Sequence, residues 1–118
     1  MTEQTTSEIV KEFGRGLAGL ASESALAPTM NAFQDLHKAA TAPGALPASV
    51  KELLALAIAI STQCDGCIAW HITNAVKAGS TRDEVLEAIG VAVMMGGGPA
   101  TYYGAKAVTA LDSVITVR

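Results

Sequence analysis

The side chains best suited to chemistry lie together in one short segment of the chain. Cys64 and Cys67 are the two cysteines of the whole chain, and His71 is one of its two histidines. At the start of a helix, cysteines with this spacing have Cα atoms roughly 5 to 6 Å apart, which is within the range of a disulfide. His71 follows Cys67 by four residues, so on a continuous helix it shares a face with that thiol and can move its proton. The spacing therefore predicts dithiol and disulfide chemistry with a base beside the nucleophile.

The same residues also permit a metal site or a purely structural role. Two cysteines and a histidine supply three zinc ligands, but a structural zinc takes four, and the sequence offers only His37 or a carboxylate as the fourth. His71 can equally be a helix histidine whose ring bonds a carbonyl group. Covalent haem attachment is set aside, because Ile68 stands where its signature requires histidine. Redox chemistry, metal binding and incidental spacing all remain open on these residues alone.

The two cysteines are expected in the first turn of a helix that begins with Asp65 as its N-cap and stops at Gly79. A thiolate in that turn is favoured by free backbone N–H groups and by the positive end of the helix dipole. The negative charge of Asp65 opposes this effect. The sequence does not decide which of the two is larger.

Glu52 is the second residue of chemical interest, because it lies on the helical stripe of Leu56, Ala59 and Gln63 in a segment that otherwise looks buried. A carboxylate that faces the interior there can exchange a proton with His71. The alternative is a solvated glutamate in the first turn of its helix, where the helix dipole favours negative charge.

Helix signals recur along the chain, and no stretch shows the period-two alternation of strands. The sequence therefore predicts an all-α fold, a compact bundle of five to six helices in a single domain over residues 1–118. Residues 7–42 are expected to form two N-terminal helices, the first capped by Ser7 and the second with Pro28 in its first turn. The apolar stripes predicted for these two helices are Ile9, Phe13, Leu17 and Leu20, and Met30, Phe33, Leu36 and Ala40.

The rest of the bundle follows from helix caps and breakers. A third helix is predicted from about Ala48 to Thr62, and its apolar run suggests burial on every side. Thr81 with Glu84 reads as a capping box for a helix reaching about Met95. The segment 96–99, Gly-Gly-Gly-Pro, then forces a break before a last helix. His37 is expected at the surface, and Trp70 is expected to contribute packing only.

Composition limits the partners of this chain. Half of its residues are hydrophobic and 16% are charged, against roughly 25% charged in ordinary soluble domains. With so few charged residues, a single copy of the chain would leave apolar surface exposed. This predicts a homo-oligomer, because large apolar patches usually mark interfaces. The net charge of −3, without a basic cluster, argues against binding to nucleic acid or to anionic membranes.

The location of the protein is also predicted from the sequence. The longest apolar run, residues 53–60, is far shorter than the roughly 20 residues of a membrane helix. Residues 1–11 lack the basic start and apolar run of a secretory signal, so we expect a cytoplasmic protein. In a reducing compartment, two cysteines with this spacing are more often catalytic or metal-binding than structural.

Four of these residues together resemble the motif of the alkylhydroperoxidase D and carboxymuconolactone decarboxylase family: Glu52, Cys64, Cys67 and His71. The similarity extends over residues 51–111, including the segment 53–57, Gly79 and the segment 96–100. This covers about half of the chain. The resemblance implies an all-helical, alkylhydroperoxidase D-like fold that assembles as trimers or hexamers.

The resemblance also implies an activity, that of a thiol-dependent peroxidase or disulfide oxidoreductase with an antioxidant role. Cys67 would attack a small hydroperoxide and become a sulfenic acid, and Cys64 would resolve it as a disulfide. Glu52 and His71 would form the proton relay, without a bound cofactor. An external dithiol, in some members a lipoyl group on a partner protein, would then reduce the disulfide.

Two features bear on how far this resemblance extends. Some peroxidase members carry a histidine between the cysteines, where this chain has Gly66, so one contributor to activation is missing. The decarboxylase branch generally lacks the cysteine pair, which argues against lactone decarboxylation. The alternative function is a non-catalytic redox-responsive or metal-binding oligomer that uses the same cysteines and histidine.

Overall fold

Six α-helices make up most of the part of the chain that the structure describes. The computed structural model describes residues 4–117, with side chains for residues 4–115. The helices in chain order are α1 (Thr6–Ser22), α2 (Ala27–Thr41), α3 (Ala48–Ser61), α4 (Asp65–Lys77), α5 (Arg82–Gly96) and α6 (Gly98–Val117). No strand occurs between residues 4 and 117. The prediction of an all-α bundle of five to six helices is confirmed.

Capping side chains set the starts of α1 and α5. Thr5 caps α1, with its hydroxyl accepting from the N–H of Glu8 at 3.1 Å and the Glu8 carboxylate accepting from the N–H of Thr5 at 3.2 Å. The prediction that Ser7 is the cap is wrong, since a capping box needs its acidic partner three residues later and Thr5 has it. Thr81 and Glu84 form the predicted box on α5. The hydrogen bond from the Thr81 N–H lowers the pKa of the Glu84 carboxyl below its ordinary value.

The hydrophobic core lies among α3, α4, α5 and α6. Its fully buried large side chains come from all four helices: Leu56, Ile60, Ile72, Val85 and Leu111. The prediction that α3 is buried on every side is wrong, because nothing within residues 4–115 covers its outer face. Leu54 and Ile58 on that face are 51% and 64% exposed.

The two N-terminal helices pack on the outside of this core. The side chains of Ile9, Phe13 and Leu17 on α1 are partly buried, whereas Leu20 lies 45% exposed beyond the end of the stripe. No residue of α2 is fully buried. α1 and α2 therefore form an outer layer that can wall a cavity.

Glycine and proline separate the last two helices as predicted. Gly97 follows α5 with a φ of 67°, a conformation that glycine adopts without steric cost. α6 begins at Gly98, and Pro99 occupies its first turn. Within residues 4–117, none of the helices combines the length and the apolar character needed to cross a membrane.

Candidate functional site

The connection between α3 and α4 fixes the position of the first cysteine. The N–H of Cys64 donates to the carbonyl of Ala59 at 3.1 Å, and the N–H of Gln63 donates to the carbonyl of Ile60 at 3.2 Å. These two bonds make a Schellman motif, and Gln63 takes the left-handed conformation that it requires, with a φ of 58°. Gln63 therefore lies outside the helix, and its predicted place on the stripe of Glu52 is wrong.

Cys64 is the N-cap residue of α4. Its sulfur accepts a hydrogen bond from the N–H of Cys67 at 3.2 Å, while its backbone is extended. The prediction that Asp65 is the cap is wrong by one position, because Asp65 already has helical geometry. The prediction that Gly79 ends the helix is confirmed. A second Schellman motif closes α4 there, and Gly79 has a φ of 98°.

Cys64 and Cys67 form a disulfide, with Cα atoms 5.2 Å apart. The first turn of α4 thus holds both sulfurs within bonding distance of each other. On reduction, the free N–H groups of that turn and the helix dipole favour a thiolate. The opposing charge of Asp65 is partly offset, since its carboxylate lies 3.4 Å from the Nζ of Lys106 on α6.

Glu52 and His71 are brought together by the packing of α3 on α4. Glu52 is 6% exposed, and its Oε2 lies 2.7 Å from Nδ1 of His71. An ionised carboxylate can only accept, so with Glu52 ionised the ring of His71 donates from Nδ1, and a neutral ring then keeps a lone pair on Nε2. Of the two positions that the sequence allowed for Glu52, interior and solvated, the structure has the interior one. The contact fixes the orientation of the His71 ring.

A cavity of about 460 Å³ lies between α1, α2 and the start of α4. Cys67 and His71 belong to its lining, whereas neither Cys64 nor Glu52 does. Most of its other walls are apolar, with Phe13, Leu17, Met30, Phe33 and Trp70 among them. A molecule in this cavity meets Cys67 and His71 together.

Phe13 covers the turn that carries the two sulfurs. A Cβ on Gly66, between the cysteines, would lie 2.7 Å from Cδ2 of Phe13, so the ring occupies the place of a side chain. The same ring meets Trp70 edge to face, with centroids 5.5 Å apart. Trp70 packs as predicted, but it also lines the cavity.

His37, which the sequence offered only as a possible fourth zinc ligand, is a further residue of the cavity. It was expected at the surface, but it lines the cavity, and its ring lies 6.4 Å from that of His71 between centroids, at an angle of 24°. Met30, Phe33 and His37 line the cavity from α2, with Phe33 still 52% exposed, while Leu36 does not line it and is 64% exposed. The signal was the spacing, since His37 continues the i, i+3, i+7 pattern of Met30 and Phe33.

Other places in the described chain offer less chemistry. A second cavity, of about 240 Å³, lies beside Asp65 and Lys106, and its lining contains no cysteine or histidine. Between residues 4 and 117, no group of three or more His, Cys, Asp or Glu side chains is placed to hold a metal ion.

Comparison with known sequences agrees with the resemblance seen in the motif. The model of the carboxymuconolactone decarboxylase family matches residues 27–110. An uncharacterized protein of Cupriavidus necator is 40% identical over 108 residues, which are 92% of this chain and 90% of that protein. An uncharacterized protein in the cox locus of Paracoccus denitrificans is 40% identical over 84 residues, 71% of this chain and 76% of that one.

Solved structures share the fold as well. A carboxymuconolactone decarboxylase family protein from Legionella pneumophila superimposes with a TM-score of 0.86 at 41% identity, over 92% of this chain and 96% of that one. A protein of the same family from Thermotoga maritima, described as having a possible role in the antioxidative response, gives a TM-score of 0.81 at 29% identity, over 92% and 91% of the two chains.

Proposed function

The chain belongs to the carboxymuconolactone decarboxylase family, and on that premise we propose that it is a thiol-dependent peroxidase, a disulfide oxidoreductase that reduces hydroperoxides. The observation that carries the proposal is the lining of the larger cavity. It contains Cys67 and His71 but not Cys64, so a substrate in the cavity contacts the first of these cysteines and not the second. That arrangement suits a nucleophile and a resolving thiol.

The proposed reaction gives each of the four residues a role. His71, oriented by Glu52, takes the proton of Cys67, and the thiolate attacks the outer oxygen of the hydroperoxide. A sulfur–oxygen bond forms, the oxygen–oxygen bond breaks, and the alcohol leaves with the proton returned by His71. The thiol of Cys64 then attacks the sulfenic sulfur, giving the disulfide and water.

The electrons come from outside the chain. An external dithiol reduces the Cys64–Cys67 disulfide by exchange and is itself oxidised to a disulfide. A lipoyl group on a partner protein is the reductant we propose, because its narrow, apolar arm can enter a cavity with the walls described above. Cys67, the cysteine in the cavity lining, is the one that such an arm reaches.

The apolar walls favour an organic hydroperoxide as substrate. Aromatic and aliphatic side chains of α1, α2 and α4 face the cavity, and they gain nothing from hydrogen peroxide, which has no apolar part. Lactone decarboxylation is not proposed, because a disulfide-forming pair beside a base provides thiol chemistry that such a reaction does not use.

We also propose that the protein is a homo-oligomer. The exposed apolar side chains of α3 and α5 support this: Leu54, Ile58, Val91, Met94 and Met95. A second copy of the same chain would cover them.

Single-turnover oxidation tests the proposed activity. The pre-reduced protein is mixed with cumene hydroperoxide, and peroxide loss is followed together with the loss of two hydrogen masses on disulfide formation. Consumption far faster than by a free thiol, with one disulfide per peroxide, supports the peroxidase. Oxidation at the rate of free cysteine would contradict it and favour a redox-responsive oligomer.

A further inference from the structure

The wall of the larger cavity contains a position without a side chain. Gly14 on α1 belongs to the lining, together with Leu17 and Ala18 on the same helix. These three residues have the i, i+3, i+4 spacing of one helix face. A side chain at position 14 would therefore point to the same side of α1 as the other two, toward the cavity.

The space beside Gly14 is not used by the rest of the described chain. Outside its chain neighbours and the backbone of α1, a Cβ at this position would meet no atom within 4 Å. The backbone does not require glycine either, since Gly14 lies inside α1 and is not among the glycines with a positive φ. The volume of the missing side chain therefore belongs to the cavity.

This space adjoins the reactive end of the cavity. The preceding residue, Phe13, lies against Gly66 between the two cysteines, and Cys67 lines the same cavity. Large side chains bound the cavity near this point, those of Phe13, Leu17 and Trp70. A wall position without a side chain therefore adds width close to the place where a hydroperoxide would meet Cys67.

We infer that Gly14 is a specificity-determining residue, whose missing side chain makes room for the bulky apolar group of an organic hydroperoxide. This inference rests on the proposed peroxidase function. It narrows the substrate class to hydroperoxides with a branched or aromatic group next to the peroxide, because the added width lies near Cys67. Such a group is withdrawn from water in this space, whereas hydrogen peroxide has no group to place there.

Filling the space tests this role. The reduced Gly14→Leu variant should lose more rate with cumene hydroperoxide than with hydrogen peroxide in stopped-flow oxidation. The ratio of the two rates should fall about 10-fold or more, because an apolar site distinguishes molecules that differ by single methylene groups by such factors. Gly14→Ala adds one methyl group and should lower the ratio in the same direction, but less.

Gly16→Leu is the matched control. Gly16 lies on the same helix, and a Cβ there also meets nothing within 4 Å, but this residue is exposed and does not line the cavity. The ratio of rates in this variant should equal that of the unmodified protein. Both leucine variants should unfold at or above the temperature of the unmodified protein, since leucine favours a helix more than glycine does. Loss of folding is thereby separated from loss of space.

Alkylation measures the same space without a peroxide. In the Cys64→Ser background Cys67 is the remaining thiol, and mass spectrometry follows its reaction with iodoacetamide and with the larger N-phenylmaleimide. Gly14→Leu should lower the rate with the maleimide relative to the rate with iodoacetamide, and Gly16→Leu should leave this ratio unchanged.

The outcomes distinguish the two proposals. An unchanged ratio of peroxide rates in Gly14→Leu, or an equal fall in Gly16→Leu, would overturn the role of Gly14 and leave the peroxidase standing. If the unmodified protein reacts with neither peroxide faster than free cysteine, the peroxidase itself fails. The alkylation ratio then decides alone: a fall confined to Gly14→Leu supports Gly14 as the residue that limits the size of molecules reaching Cys67, and equal ratios overturn it.

Discussion

Nδ1 of His71 lies 2.7 Å from Oε2 of Glu52, although nineteen residues separate them in sequence. Glu52 is 6% exposed and lies in the first turns of α3, on the face that meets α4. A buried carboxyl group needs a hydrogen-bond partner, and the imidazole provides it. The contact therefore both stabilises Glu52 in the interior and directs the free nitrogen of His71.

Removing the charge of Glu52 should slow the thiol reaction. Glu52→Gln keeps the shape of the side chain but cannot stabilise a protonated His71, so Cys67 should react with peroxide about 100-fold more slowly, the lower range for loss of general-base assistance. Stopped-flow oxidation of the reduced protein measures this. Glu87→Gln, the same change at an exposed glutamate of α5, is the control and should have no effect. Equal rates for all three proteins would exclude the relay.

The two cysteines should fail at different steps. Cys67→Ser should consume no peroxide above the rate of a free thiol, because the sulfur that faces the cavity is gone. Cys64→Ser should consume one equivalent and stop as a sulfenic acid, which dimedone traps and mass spectrometry detects. The opposite pattern, with the trapped species on Cys64 in the Cys67→Ser variant, would reverse the proposed roles.

A side chain at Gly66 should compete with Phe13. Gly66→Ala places a methyl group within 2.7 Å of the ring, and this overpacking should lower the free energy of unfolding by about 1 to 3 kcal/mol. Urea denaturation checks the loss. In the Phe13→Leu background the same alanine should cost less, since the smaller side chain can move away.

A matched control for that series is Gly90→Ala. A Cβ on Gly90 meets nothing within 4 Å, so alanine in the middle of α5 should stabilise the protein by about 0.5 to 1 kcal/mol. If Gly66→Ala and Gly90→Ala stabilise the protein equally, Phe13 does not restrict the size of the side chain at position 66.

Relieving the turn before Cys64 should stabilise the protein. Gln63 has a φ of 58°, a conformation that is sterically unfavourable for a residue with a Cβ. Gln63→Gly should therefore raise the free energy of unfolding by about 1 kcal/mol. Thermal unfolding of the oxidised protein measures the gain. Gln63→Ala, which keeps the Cβ, should show no gain. A loss of stability in Gln63→Gly would show that the glutamine side chain itself holds the turn.

A charge on the outer face of α3 should weaken self-association. Ile58 is 64% exposed, and Ile58→Lys would place an ammonium group inside the interface that we propose, where an unpaired charge is costly. Light scattering after size-exclusion chromatography should give a smaller particle mass than for the unmodified protein. Ala39→Lys, on the exposed surface of α2, is the control. A monomeric unmodified protein would contradict the proposed assembly.

Local signals explain what the sequence predicted well. The box of Thr81 and Glu84, the stop at Gly79 and the break after Gly96 depend on residues a few positions apart, and all three were read correctly. The position of the cysteines in the first turn of α4 follows in the same way. Such features need no knowledge of how helices pack.

Packing across the chain explains what was missed. His37 lines the cavity, and Phe13 fills the space above Gly66, because α1 packs on α4 while α2 packs on α1 and α3. No pattern within one helix reports which helices it packs against. Glu52 is intermediate, since its stripe suggested an inward position but only the contact with His71 distinguishes it from a solvated residue.

The absence of any fully buried residue in α2 bears on how this protein can diversify. Met30, Phe33 and His37 shape the cavity, yet the hydrophobic core is made by other helices. Substitutions on α2 can therefore alter which molecules are accepted at little cost in folding stability. The residues of α2 that shape the cavity can therefore be changed, by selection or by design, independently of the residues that stabilise the fold.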